Sequence, residues 1–103
     1  MLKSFEAAAE LVKNTISGEY PQIRRAWIFG SFSDNSQTSE SDLDIMVELD
    51  DLMGLQYISM IQDLEDAAQT RVDVLTVEQA RNLEKKYGYV ILGKARPIYE
   101  RIA

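Results

Sequence analysis

Asp42-Leu43-Asp44 opens an apolar run, Ile45-Met46-Val47, and a Gly30-Ser31 pair closes an earlier one, Ala26-Trp27-Ile28-Phe29. Alternate residues of a strand project to the same side, so Asp42 and Asp44 point together and Leu43 points away. Two adjacent carboxylates repel each other, and burying them unpaired is costly. A divalent cation is the simplest partner that makes such a pair favourable. The stretch from Gly30 to Asp44 therefore reads as a site for a metal ion and a nucleoside triphosphate.

The other ionisable residues narrow the chemistry. The chain has no His, which removes the usual zinc ligand and the usual general base at neutral pH. It has no Cys, hence no disulfide framework and no thiolate site, which fits a reducing cytoplasm. Acid–base work falls to carboxylates, Lys or Tyr. The net charge of −6 argues against direct nucleic-acid or anionic-membrane binding, both of which rely on Lys and Arg. It leaves a nucleotide possible, because bound Mg²⁺ inverts the local sign.

Positioning such a site takes a folded domain. With 103 residues, 46% of them hydrophobic, the chain suits a single domain over residues 1–103. The opening Met1-Leu2-Lys3-Ser4-Phe5-Glu6 has no long apolar stretch, so no signal peptide is expected, and no segment approaches membrane-span length.

The elements follow from periodicity. Residues 4–17 predict a helix with Ser4 as N-cap and a stripe of Phe5, Ala8, Ala9, Val12 and Ile16, ended by Gly18. Arg24 to Phe29 predicts a strand, then a polar loop over 30–41 with one helical turn after Ser31. Leu43 to Leu49 predicts the second strand, with Leu43, Ile45, Val47 and Leu49 facing the core. Leu52 to Ala68 predicts a helix that buries Leu55, Ile58, Ile61, Leu64, Ala67 and Ala68, with Gly54 in its first turn. Arg71 to Leu75 predicts a third strand, and Thr76-Val77-Glu78-Gln79 has capping-box spacing for a helix after it. Gly88 is expected to break that helix before a turn over Tyr89 to Leu92, and Gly93 to stop it. Arg96-Pro97-Ile98-Tyr99-Glu100 is extended, with Pro97 suited to a sheet edge.

The order is helix, strand, Gly-Ser loop, Asp-x-Asp strand, helix, Asp73 strand, helix. With Gly30-Ser31, ten residues, Asp42-Leu43-Asp44 and a later strand Asp73, the chain resembles the DNA polymerase beta-type nucleotidyltransferase superfamily. Within it, the chain is similar to the minimal nucleotidyltransferases. The resemblance runs from the first helix to Ile98-Tyr99-Glu100. It implies an α/β fold: a small mixed sheet with helices packed mainly on one face, the other face carrying the carboxylates and staying open.

The resemblance also implies roles. Gly30 lets backbone approach a phosphate, and Ser31 offers its hydroxyl and N–H to phosphate oxygens. Asp42, Asp44 and Asp73 would be the catalytic and metal-binding residues of a two-ion Mg²⁺ site, with Asp73 as base for the acceptor hydroxyl. Minimal nucleotidyltransferases are commonly paired with HEPN-domain toxins. The implied function is an antitoxin that transfers AMP from ATP to a tyrosine of its toxin, homo-oligomerisation being open. A rival reading is a binding-only antitoxin with weak or lost catalysis; a third, transfer to a small molecule, suffers from the missing acceptor domain. One departure stands out. Where relatives carry a basic residue and Gly soon after the Gly-Ser pair, this chain has Asp34 and Asn35. Arg24, Arg25, Arg71 and Lys94 are the basic residues that could compensate.

Overall fold

The computed structural model describes residues 4–34, 36–38, 41–88 and 90–102; Asn35 and Tyr89, on which two of these expectations fall, lie outside them. The first helix, α1, spans Phe5–Ile16, and the Ser4 side chain accepts from the Ala7 N–H at 3.1 Å. Strand β1 is Ile23–Phe29, followed by a 3-10 turn at Gly30–Ser33. Strand β2 is Leu43–Leu49, helix α2 Leu55–Ala68 and strand β3 Val72–Thr76. Helix α3 spans Val77–Tyr87, a 3-10 turn Leu92–Lys94, and strand β4 Arg96–Glu100.

The sheet order is β3-β2-β1-β4. Strand β2 runs antiparallel to β1 and parallel to β3, and β4 pairs antiparallel with β1. A parallel neighbour requires a crossover, and α2 supplies it between β2 and β3. The α1 stripe of Phe5, Ala8, Val12 and Ile16 packs with Met60, Leu64 and Ala68 of α2 on the sheet face made by Ala26, Ile28, Leu43, Ile45, Val47 and Val72.

Two of the three helices thus lie on one face, but the expectation of an open opposite face needs correction. Helix α3 covers part of it, and Met46, Ala80 and Ile91 form a second small core beside Trp27, Phe29, Leu75 and Leu83. A cap and a clamp hold α3 there. Thr76 and Gln79 complete the capping box, with Gln79 N–H to Thr76 Oγ1 at 3.1 Å and Thr76 N–H to Gln79 Oε1 at 2.9 Å. The Glu84 carboxylate accepts from the Ile91 and Leu92 N–H groups at 2.6 and 2.7 Å, tying the following segment back to the helix. Gly88 ends α3 with φ 73°, whereas Gly93 lies inside the last 3-10 turn and stops nothing.

The α2 stripe is also different from the expected one. Gly54 precedes the helix at φ 57°, so the helix starts at Leu55. Met60, Leu64 and Ala68 are buried, while Leu55 is 81% exposed and Ile58 64%. Residues 55, 58, 61 and 64 and residues 57, 60, 64 and 68 both satisfy helical spacing, and the crossover geometry selects the second set. Two truncations separate them. Leu64→Ala should cost about 2–5 kcal/mol and Leu55→Ala less than about 0.5 kcal/mol, read from urea midpoints.

Candidate active site

The site grows from the register of β2 and β3. Asp44 pairs with Asp73 across the parallel ladder and with Phe29 across the antiparallel one. The side chains of Asp44 and Asp73 therefore leave the sheet on the same face, away from the Leu43, Ile45 and Val72 core. Asp42 sits just before β2, where the Leu43 N–H bonds the Arg71 carbonyl at 3.0 Å and starts the parallel pairing.

Four influences act on Asp44. Burial disfavours its charged form, and the charges of Asp73 and then Asp42, with a hydrogen bond to Asp73, add to the effect. Together they push its carboxyl from 3.8 up to about 6. Asp42, Asp44 and Asp73 are thus brought close enough to interact.

Gly30 closes the site from the β1 side. Its φ is +70°, a region open to glycine at no steric cost. A Cβ on Gly30 would fall 2.2 Å from Asp44 Oδ2. The glycine is therefore required twice, by backbone conformation and by the carboxylate against it. The turn is pinned from within: the buried Ser33 hydroxyl donates to the Gly30 carbonyl at 2.7 Å, and the Ser36 N–H donates to the Ser31 carbonyl at 2.9 Å.

The residue types suit a hard divalent cation, which takes carboxylate oxygen. Among the described residues no three His, Cys, Asp or Glu side chains already form a metal site. Mg²⁺ takes one or two protein carboxylates and completes its shell with waters and substrate phosphates. Asp42, Asp44 and Asp73 are the residues that would hold it, and the mutual repulsion at Asp44 is what a cation relieves.

The basic residues named from sequence divide. Arg25 pairs with Glu48 and Glu100, each at 3.0 Å, and Arg24 lies 3.8 Å from Asp50. Those two are engaged at the other end of the strands, and Arg71 is exposed just before β3. Lys94 acts on Asp34 electrostatically. Asp34 itself turns back on its own loop: its carboxylate accepts from the Ser36 N–H at 3.0 Å, and its bonds to Ser36 hold its carboxyl below the usual carboxylate range.

Sequence reasoning missed Ser33 and Arg96. Ser33 is one serine among several in a polar loop, with no pattern to single it out. Arg96 donates through Nη1 to the Ser33 carbonyl at 3.0 Å from 63 residues away, a contact no local signal contains.

Two substitutions test this geometry. Asp44 binds its proton more tightly folded than unfolded, so its contribution to stability is fully present below about pH 4 and is lost as pH rises through about 6. Asp44→Asn should stabilise the metal-free protein by about 1 kcal/mol at pH 7.5, after allowing for solvent screening of a half-buried group, and not at pH 4. Thermal melts in chelator at the two pH values read this out. Gly30→Ala should cost at least about 1–2 kcal/mol in urea denaturation, because it forces a side chain into the left-handed region and displaces Asp44.

Known proteins resemble this chain in sequence and in fold. The family model for polymerase beta nucleotidyltransferases matches residues 10–102. Two Methanocaldococcus jannaschii proteins, provisionally named protein adenylyltransferases, are similar in sequence. One is 33% identical over 73 residues, covering 68% of this chain and 72% of the relative. The other is 41% identical over 69 residues, covering 61% and 69%. Among solved structures, a toxin–antitoxin crystal structure with AMP-PNP superposes with TM-score 0.72 at 20% identity, over 90% of this chain and 73% of the other. A complex of tri-AMPylated Shewanella oneidensis HEPN toxin with its MNT antitoxin gives TM-score 0.68 at 17% identity, over 94% and 73%. At those identities the structures speak for the fold. The family match over most of its length, and the archaeal relatives, show that the chain belongs to the polymerase beta nucleotidyltransferase family.

Proposed function

We propose that this protein transfers AMP from Mg²⁺-bound ATP to a tyrosine hydroxyl of a HEPN-domain toxin, and so acts as its antitoxin. The observation that carries the reading is the register that sets Asp73 beside Asp44, against the glycine of a Gly-Ser turn. The names of the two archaeal relatives and the HEPN–MNT complex among the fold neighbours support the acceptor class. We place the reaction in the cytoplasm; among the described residues no helix is long and apolar enough to cross a membrane.

Each site residue has a task. The Gly30–Ser33 turn offers its leading N–H groups and the Ser31 hydroxyl to phosphate oxygens. Asp42, Asp44 and Asp73 hold the cation, which when bound supplies neutralisation of phosphate charge as it builds up. Asp73 takes the proton of the acceptor hydroxyl. The hydroxyl oxygen bonds to the α-phosphorus, the bond from that phosphorus to the bridging oxygen breaks, and pyrophosphate leaves with the electron pair. Asp73 suits the base role because it lies on the edge strand β3 and is exposed, so an acceptor can reach it.

Incubation with labelled ATP, Mg²⁺ and the HEPN partner should place label on a partner tyrosine. Asp42→Asn, Asp44→Asn and Asp73→Asn should each reduce transfer by about 10²-fold or more. Undiminished transfer by Asp42→Asn would contradict the site. Full neutralisation of the toxin by an Asp42/Asp44 double variant would replace transfer with simple binding.

A further inference from the structure

Arg96 opens strand β4 at the sheet edge, paired with Ile28 only two residues from Gly30. Its guanidinium carbon lies 3.6 Å from the centroid of the Phe5 ring at the start of α1. Its Nη1 donates to the Ser33 carbonyl at 3.0 Å, and the Ser33 hydroxyl in turn donates to the Gly30 carbonyl at 2.7 Å. Gly30 lies directly against the Asp44 carboxylate. A continuous line of contacts therefore runs from α1 and β4 through the Gly-Ser turn to the carboxylate pair.

We propose that Arg96 is the positioning residue of the nucleotide site, clamping the Gly30–Ser33 turn between the Phe5 ring and the last strand; this deepens the transfer reading and rests on it. The turn is a short 3-10 piece leaving a strand, with few residues to hold its own shape. A charged donor on the Ser33 carbonyl fixes the far end of the turn, and the Ser33 hydroxyl fixes the near end. The N–H groups that would meet phosphate are then set before the nucleotide arrives, which is what pre-organisation requires.

The charge of Arg96 also has a use. Arg24, Arg25 and Arg101 each lie against a carboxylate, but among the described residues none is within ion-pair range of Arg96. Its positive charge therefore remains beside the turn, in a loop region where Asp34 adds a negative one. Arg96 delivers from β4 a cation that the loop itself does not carry. Lysine is a poor substitute, because a planar guanidinium stacks on a ring while donating in its own plane and an ammonium does not.

The test uses full-length protein with Arg96→Met, which keeps the stem and removes the donor, and Arg96→Lys, which keeps the charge. Arg96→Met should raise KM for ATP with Mg²⁺ about tenfold and leave kcat within about twofold, with Arg96→Lys in between. Amide hydrogen exchange at residues 30–33 should quicken in Arg96→Met while that of β2 stays as in wild type. An unchanged KM together with unchanged exchange would overturn the proposal. So would a parallel fall in kcat and thermal midpoint with exchange rising throughout the sheet, which marks a general structural part. Wild-type protein that neither binds nor transfers a nucleotide overturns the transfer reading, and the exchange measurement then decides the clamp independently.

Discussion

Two like charges set next to each other by strand register are the constraint around which this molecule is built. Asp44 and Asp73 meet because β2 and β3 are parallel and in that register. A shift of β3 by one residue would send Asp73 to the core face and bring Val72 or Val74 beside Asp44. The crossover through α2, the buried Met60-Leu64-Ala68 stripe and the Val72 side chain in the main core all fix the register against that slip. The apolar packing of one face thus holds an electrostatic conflict in place on the other.

That conflict explains features that would otherwise look unrelated. Asp44 is half-buried and crowded by Asp73 and Asp42, which together push its carboxyl up to about 6. Gly30 must lack a side chain because Asp44 already fills the space a Cβ would take. The sheet edge carrying Asp73 is also finished with care. The Val72 N–H donates to Glu65 Oε2 at 3.2 Å, and the Tyr57 hydroxyl donates to the Val74 carbonyl at 3.2 Å. Side chains from α2 thus occupy outward-facing backbone groups of β3, which keeps the edge from recruiting another strand while leaving the Asp73 side chain accessible.

Much of this was legible in the chain. Strand β2 came out at its observed limits because Leu43, Ile45, Val47 and Leu49 fall at alternate positions, with Asp44 before and Glu48 after the apolar Met46 on the other face. The Ser4 cap and the Thr76–Gln79 box were readable because capping is a local matter of side chain and nearby N–H. The α2 face was not, since Leu55 and Ile58 fit helical spacing as well as Tyr57 and Met60 do, and only the packed sheet chooses between them. The second core under α3 was hidden for a similar reason: Met46 and Leu75 share the strand face of the carboxylates but lie farther along the strands, and nothing local tells a covered stretch of that face from an open one. Arg96 was out of reach altogether, because its partner Ser33 belongs to the other half of the chain.

The account is tested most directly by the carboxyl carbon signal of Asp44, followed by NMR across pH without metal and then with Mg²⁺ and a non-hydrolysable ATP analogue. The account predicts an Asp44 midpoint near 6 in the free protein, falling below the ordinary carboxylate value when the cation is bound. An Asp44 midpoint near 4 in the free protein, unmoved by Mg²⁺ and nucleotide, would contradict it.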